Sequence, residues 1–483
     1  MRGSLILGGG PGGTGPLVWA AQNGALDSWL KAGVAIFERG ASIGGTIGRY
    51  MINSDSLGTA YLECLDAPAA RELFAELRED EVTRELETMR YALPPLELVG
   101  RFLRRLGSTL EEIIAAYPDS EFRPGSQVRA LHMRDGGTVA AEVVSAGGDV
   151  YFEEAQTAIV ALGGRQDLAS YLTAPLIGGV RLGDADLAKI MPSDALLTPD
   201  GLARAAAMLA NSPSARVVVL GGAHSAFSVL WVLTHLLPDV DFRPGDITLL
   251  YRQAARILYW TREDAHADGY AFTERDVCPR TQRVNRLGGL RGDGREMWRR
   301  LTGRPGTEAE SRIAMVPLSE SHLSATTLRR MLDEAAVIIP AFGYRSVTVP
   351  IYDAEGCQLR LKADYGGPAV GRDACMLLAD GGHIPNVFGI GLGADYRPWG
   401  HMGGEPSFEG QTNGLWLYQN DIGAVVYQGV RNYLDEASRP KVSRGHDRAA
   451  AASAIPAPRL GAVIEDALLM ASGVAARVPV GSR

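Results

Sequence analysis

Gly8, Gly10 and Gly13 stand in the spacing GxGxxG inside the run Gly8-Gly9-Gly10-Pro11-Gly12-Gly13-Thr14-Gly15, directly after Leu5-Ile6-Leu7. In that spacing the first glycine makes a tight turn, the second lets backbone approach a pyrophosphate, and the third lets a helix pack closely on a strand. A helix expected from Pro16 through Ala21 would aim its free N–H groups and dipole at the anion. Gly8, Gly10, Pro11, Gly12 and Gly13 therefore read as a dinucleotide cradle. The next strand, Val34-Ala35-Ile36-Phe37, ends in Glu38, placed to accept from ribose hydroxyls. With more than 400 residues following, the site suits FAD. The Gly44-Gly45 pair fits a loop passing the flavin, which adds Gly45 to the FAD set.

A second fingerprint follows Arg216-Val217-Val218-Val219-Leu220, as Gly221-Gly222-Ala223-His224-Ser225 and an apolar helix to Leu237. Alanine replaces the second glycine, crowding the pyrophosphate approach, and again the third, where it still packs closely. Gly221, His224 and Ser225 are expected to touch a nicotinamide dinucleotide. The strand Ile247-Thr248-Leu249-Leu250-Tyr251 ends in Arg252, with Arg256 one turn on. A basic residue where NAD-binding folds place an acid pairs with a 2′-phosphate, so the expected cofactor is NADPH.

Val337 to Arg345 reads as a buried strand ending in the AxGY turn Ala341-Phe342-Gly343-Tyr344, with an earlier counterpart from Thr157 to Gly164. Such turns mark where the chain crosses between two nucleotide domains, and Gly343 is assigned to the NADPH side. Asn386 to Gly393 reads as the last strand of the FAD domain, followed by a helix from Gln411-Thr412-Asn413-Gly414 to Leu434. That helix N-terminus would face the flavin pyrimidine edge, where negative charge gathers on reduction. Gly393, Gln411, Thr412, Asn413 and Gly414 thus join the FAD residues. Arg397, His401 and Glu405 lie in the glycine-rich loop between, a candidate wall of the substrate pocket, where Arg397 could grip a carboxylate bidentately.

These motifs must be held by α/β structure, since strands alternate with helical stretches such as Asp66 to Arg90, Pro95 to Tyr117, Thr198 to Ala210 and Thr326 to Ala336. The expected fold is two Rossmann-like dinucleotide-binding domains, the NADPH domain inserted in the FAD domain. Residues 1–185 form the first part of the FAD domain, 186–335 the NADPH domain, 336–435 the second FAD part, and 436–483 a tail with one short helix from Leu460 to Ala471. The region from Thr261 to Ser324 reads as loop-heavy.

Composition agrees. The chain has 483 residues, 46% apolar and 22% charged, with net charge -8. An acidic balance disfavours nucleic acid, whose phosphates want a basic face. The 4 cysteines contain no CxxC pair, which disfavours a disulfide scaffold, a zinc ribbon and a dithiol reductase. The 8 histidines show no metal spacing, so no metal is expected. No signal peptide precedes the first strand, and the longest apolar run, Ala226 to Leu237, is too short for a bilayer, so a cytoplasmic protein without membrane contact is expected.

The order of FAD fingerprint, inserted NADPH fingerprint, AxGY turn and closing GxG-plus-helix resembles class B flavin-dependent monooxygenases. It is most similar to the N-hydroxylating type that oxidises ornithine and lysine side-chain amines. That type shows an Asp, a short apolar stretch, ATGY and a nearby His or Pro; this chain offers Asp333, Ala341-Phe342-Gly343-Tyr344 and Pro350. It departs in Phe342 for Thr, a longer gap from Asp333 and one extra residue before Pro350. The F-x-G-x3-H signature of the sulfide- and ketone-oxidising relatives does not occur. The resemblance implies that NADPH reduces FAD, O2 adds at flavin C4a, and an unprotonated amine attacks the distal peroxide oxygen. It points to the amine of a small amino acid in natural-product biosynthesis, such as aspartate oxidised toward nitrosuccinate. The expected partners are a small-molecule amine or amino-acid substrate and O2, and the reading leaves room for a homo-oligomer. The alternatives are an NADPH-dependent flavin reductase or oxidase, and a nucleotide-binding protein without catalysis.

Overall fold

Runs such as Leu5-Ile6-Leu7 and Val217-Val218-Val219-Leu220 are apolar at every position, the pattern of parallel strands buried on both faces. In the computed structural model, which describes residues 1–439, they become the centres of two sheets. The larger sheet has a parallel core in the order Glu121–Arg123, Val34–Phe37, Arg2–Leu7, Val150–Val160, His383–Gly389. An antiparallel meander of Gln127–Met133 and Val139–Val144 continues from the outer half of Val150–Val160. The smaller sheet is wholly parallel, in the order Ile313–Pro317, Ile247–Tyr251, Val217–Leu220, Val337–Pro340. Gly164–Arg165 pairs antiparallel with Arg345–Ser346 where the chain passes out of and back into the larger sheet.

Each sheet has its own core. The first gathers Leu5, Ile6, Leu7, Trp29, Phe37 and Phe388 with the helix Leu96–Ala115, whose buried Val99, Phe102, Leu103, Leu106, Leu110 and Ile114 recur at helical spacing. The second gathers Val217, Val219, Phe227, Leu230, Tyr259 and Met297.

Several expected boundaries move. The first fingerprint helix spans Pro11–Gln22 and so begins five residues before Pro16, because Pro11 fits a first helical turn and the glycines let that turn close on its neighbours. The stretch from Asp66 to Arg90 is broken into Pro68–Ala70, Ala75–Glu79 and Glu81–Glu87, the last started by Asp80, whose carboxylate accepts from the Val82 N–H at 3.0 Å. The closing helix is split into Leu415–Gln419 and Asp421–Ala437 at Asn420, which has φ -128° and ψ -97°. The Thr261 to Ser324 region is more ordered than expected: it supplies the helices Arg262–Ala267 and Gly292–Leu301 and the edge strand Ile313–Pro317. Tertiary pairing with Ile247–Tyr251 recruits that short, partly buried strand, whose sequence carries little alternation.

The domain limits also shift. Val337–Pro340 belongs to the smaller sheet rather than to the second FAD part, and Tyr171, Ile177, Val180 and Leu182 pack with Val218, Leu220 and Ile338 rather than on the larger sheet. The tail from 440, including the helix expected from Leu460 to Ala471, lies outside the described residues. Among the described residues no helix is long and apolar enough to cross a membrane; Ala226 to Leu237 falls largely in the helix His224–His235, half of whose residues are buried.

Candidate active site at two dinucleotide cradles

The glycines of the first fingerprint divide into two kinds. A β-carbon on Gly8, which sits at φ +106°, would strike the carbonyl of Ala161, and one on Gly13 would strike the carbonyl of Gly8. Those two glycines are required by strand and helix packing. Gly10 is different, since a β-carbon there would meet only the Gly45 α-carbon at 3.9 Å. The helix behind it, capped by Gly10, has no side-chain cap and no acid in its first turn. Uncapped N–H groups beside open space over a glycine are what a pyrophosphate needs. Gly44 N–H donates to the Gly9 carbonyl at 2.9 Å, and a β-carbon on Gly45 would stand 2.8 Å from the Pro11 ring, so the Gly44-Gly45 loop folds over the same turn. Glu38 accepts from the Gly9 N–H at 2.8 Å and the Gly40 N–H at 2.7 Å, holding its carboxylate at the strand end. The donor set and the open space fit FAD.

The closing segments reach the same cradle. Gly391, at φ +115°, faces Gly12, whose β-carbon would lie 3.1 Å from the Gly391 α-carbon. Gly393 instead packs on Arg345–Ser346, so its glycine is explained by backbone contact with the interdomain strand, and Gly391 is the one that touches the fingerprint helix. Thr412 is buried and donates to the Tyr396 carbonyl at 3.1 Å, while Asn413 is exposed and accepts from the Tyr418 hydroxyl at 3.3 Å. Gly414 caps the helix Leu415–Gln419. Gln411 donates to the Tyr344 carbonyl at 3.2 Å, and its buried Oε1 has no hydrogen-bond partner. That bond ties the closing loop to the AxGY turn. There Gly343, at φ +92°, accepts from the Tyr171 hydroxyl, and Phe342 stands edge-on to Tyr171 at 5.1 Å. Asp333 lies near the end of the helix Ala325–Glu334, its carbonyl bound by Lys189, and the Pro350 carbonyl accepts from Leu131 N–H on the larger sheet. The structure thus separates Asp333 and Pro350 into different sheets' surroundings.

In the second cradle Gly221, at φ +147°, lies under the Ala341 carbonyl as Gly8 lies under that of Ala161. The helix His224–His235 again starts without a side-chain cap or an acid, and Ser225 is half-buried in its first turn. These features fit a second dinucleotide. His224 turns toward a small cleft lined by Asn53, Asp55, Ser228, Trp231, Arg291 and Asp293. Its side chain is 39% exposed overall, yet Nε2 is buried, lacks a partner and stands 3.9 Å from Asp55 Oδ2. Burial pulls the imidazole below its usual range. Arg252 is exposed at the strand end and donates to the Pro175 carbonyl at 3.0 Å. Arg256, one turn on, is committed elsewhere: both its Nη atoms donate to Ser407, at 2.8 Å each.

The loop of residues 394–410 docks on the NADPH side. Glu405, expected in the substrate wall, is 2% exposed and accepts from the backbone N–H groups of Leu287 and Gly288 at 3.0–3.1 Å, a structural anchor. Arg397 is 59% exposed and faces Asp395 at 3.6 Å, which partly neutralises it. His401 is exposed, and its carbonyl accepts from Arg280 at 3.1 Å.

Behind that loop lies a cluster that the sequence reading missed. Asp421 is buried, neither carboxylate oxygen has a hydrogen-bond donor, and the Arg280 guanidinium is 3.6 Å away. Burial pushes its carboxyl above the usual range, against the pull of Arg280, Arg286 and His401. Arg286 is 8% exposed and contacts the Cys278 sulfur at 3.9 Å. An acid opening a helix was a visible signal for Asp421; nothing in the local sequence marks Arg280 or Arg286 among the many arginines of that region.

No family model matches the chain. Among curated proteins it is similar to a CMP-5'-(3-aminopropyl)phosphonate hydroxylase of Streptomyces rubellomurinus, with 33% identity over 434 residues covering 88% of this chain and 97% of the relative. Among solved structures it is similar to the ornithine N-hydroxylase of Kutzneria sp. 744 in a complex with reduced FAD, NADP+ and L-ornithine (TM-score 0.50, 17% identity, 89% of this chain and 99% of that one). It is also similar to the FAD-bound cadaverine monooxygenase of Erwinia amylovora (TM-score 0.53, 12% identity, 94% and 99%). At those identities the two structures share the fold with this chain.

Proposed function

The chain belongs to the flavin-dependent N-hydroxylating monooxygenases, and on that premise we propose that it hydroxylates the primary amine of a small anionic substrate, with FAD in the first cradle and NADPH in the second. Gly8, Gly10, Pro11, Gly12, Gly13, Glu38 and Gly45 would hold FAD from one side, and Gly391 and residues 411–414 from the other. Gly221, His224, Ser225, Arg252 and Gly343 would hold NADPH. FAD reduced by NADPH supplies the activation of O2.

The observation that carries the substrate class is the pairing of the buried Arg286 with the exposed Arg280, whose guanidinium stands 3.6 Å from the buried Asp421 carboxylate. Two neighbouring guanidinium groups, one of them buried, favour a carboxylate, phosphonate or phosphate ligand. The same positive charge disfavours an ammonium beside it, and only a neutral amine has the lone pair that N-hydroxylation needs. Aspartate, oxidised toward nitrosuccinate in a natural-product pathway, carries such acidic groups. So does a nucleotide-linked aminopropyl phosphonate like the one in the relative's name. An NADPH-fed reaction of this kind suits the cytoplasm.

The test is to incubate the protein with FAD, NADPH and O2 and, in turn, aspartate, ornithine, lysine, cadaverine and a CMP-linked aminopropyl phosphonate. Mass spectrometry should find a product heavier by oxygen from an anionic amine, with NADPH consumption rising as it forms. Turnover of cadaverine above every anionic amine would overturn the substrate class. NADPH consumption with no oxygenated product from any amine would return the protein to the reductase reading.

A further inference from the structure

The hairpin before the last strand of the larger sheet gathers three different metal-ligating groups. A carboxylate oxygen of Asp373, the sulfur of Cys375 and a ring nitrogen of His383 all lie within 4.8 Å of one another. Cys375 is buried, and the other two are exposed. We propose that Asp373, Cys375 and His383 form a binding site for a divalent cation of the zinc class, separate from the two dinucleotide cradles.

The backbone explains how they meet. Leu377 pairs with His383 across the hairpin, and Cys375, two residues earlier on the same strand, lies opposite Phe388. The register slips between Cys375 and Met376, which leaves the sulfur near the Pro385 carbonyl at 3.9 Å. Asp373 comes from a tight turn in which Gly371 N–H donates to the Cys375 carbonyl at 2.9 Å and Cys375 N–H donates to the Asp373 carboxylate at 3.0 Å. Ala374 holds that turn at φ +61°, a left-handed conformation rare for alanine. All these constraints turn Asp373 and Cys375 toward one point.

Thiolate, imidazole and carboxylate together are the donors of four-coordinate zinc, with water in the remaining position. Zinc bonds of about 2.0–2.3 Å place tetrahedral ligand atoms roughly 3.3–3.8 Å apart, so the two exposed side chains close by about 1 Å around the fixed sulfur. On binding, the Cys375 S–H bond breaks, its proton passes to solvent and the sulfur bonds the cation; no electron is transferred. Without a cation, burial and the Asp373 carboxylate keep that proton on sulfur.

The consequence reaches the active-site loop. The Arg372 carbonyl, inside the same turn, accepts from the Tyr396 hydroxyl at 3.2 Å and the Trp399 indole at 3.1 Å. A cation that fixes Asp373 and Cys375 therefore fastens the loop bearing Arg397 and His401.

The test is equilibrium dialysis of the chelator-treated, flavin-loaded full chain against zinc, with bound metal measured by atomic absorption. One equivalent per chain is expected, with affinity falling about tenfold or more in Cys375→Ser and in His383→Ala. Cys357→Ser, which removes the exposed thiol, should leave it unchanged. His383 is exposed, so its variant keeps the hairpin even if Cys375→Ser does not fold. Binding far below one equivalent, or binding insensitive to His383→Ala, would overturn the site. Hydrogen exchange should slow at residues 371–377 and 394–399 when zinc is added, and unchanged exchange at 394–399 would overturn the fastening role.

Discussion

Gly8 sits beneath the carbonyl of Ala161 at a backbone angle of φ +106°, so that any side chain there would collide with the backbone just past the neighbouring strand Val150–Val160. Gly10, two residues on, has no such neighbour, and its open side faces the uncapped helix N-terminus. The two glycines therefore fail differently when replaced. Gly13→Ala, like any change at Gly8, should cost the fold, seen as lost soluble yield and a lowered Tm. Gly10→Val should fold with near wild-type Tm yet bind FAD at least tenfold more weakly, because the added methyls occupy the pyrophosphate path. Tight FAD binding by Gly10→Val would remove the first cradle from its assigned role.

Preference for NADPH rests on Arg252. A charge-assisted bond to a 2′-phosphate is worth roughly 1.5–3 kcal/mol, or about one to two powers of ten. Arg252 leaves the Pro175 carbonyl to make that contact, an exchange of one neutral acceptor for a dianion. Arg252→Ala is expected to raise the KM for NADPH about tenfold or more and to change that for NADH little. Equal effects on both cofactors would take Arg252 out of the site.

Asp421 gives a pH-dependent stability effect with a definite sign. Burial raises its carboxyl above the ordinary value of about 3.9, so between those two values the folded chain binds more protons than the unfolded one. Its contribution is most favourable below about pH 3.9, declines as pH climbs to the raised value, and stays at its lowest from there upward. Asp421→Asn removes the titration. Its Tm should exceed that of wild type near neutrality, and the gap should close as pH falls toward 3.9. A variant less stable at neutral pH would mean that Arg280 and Arg286 repay the burial of the charge in full.

Turnover of the true amine should rise with pH through the range in which the bound ammonium loses its proton. Hydrogen peroxide released per NADPH consumed should fall over the same range, as the neutral amine captures more of the activated oxygen. A peroxide yield that is flat across pH and indifferent to amine would count against N-hydroxylation while leaving the fold untouched.

Arg280→Ala should raise the KM for an anionic amine about tenfold, the loss expected for one charge-assisted contact. A matching rise for cadaverine would show that the arginine supports the loop through the His401 carbonyl and does not read the substrate's acid.

What the sequence determined by itself is the local chemistry. Each strand-glycine-helix unit is written in consecutive residues, because a tight turn and an open helix N-terminus depend on φ angles and missing side chains within a few positions. The strand-end positions of Glu38 and Arg252, each one residue past an apolar strand, were legible for the same reason. Only the tertiary structure decided which of these groups face each other. It gave the short strand Ile313–Pro317 to the smaller sheet, tied Arg256 to Ser407, buried Glu405 on Leu287 and Gly288, and exchanged Gly393 for Gly391 at the fingerprint helix. It also brought Arg280, Arg286 and Asp421 together across more than 130 residues of chain, and Asp373, Cys375 and His383 around one hairpin. Contacts of that kind depend on register and on the docking of distant segments, and a one-residue shift in a strand exchanges its two faces, so no window of neighbouring residues contains them.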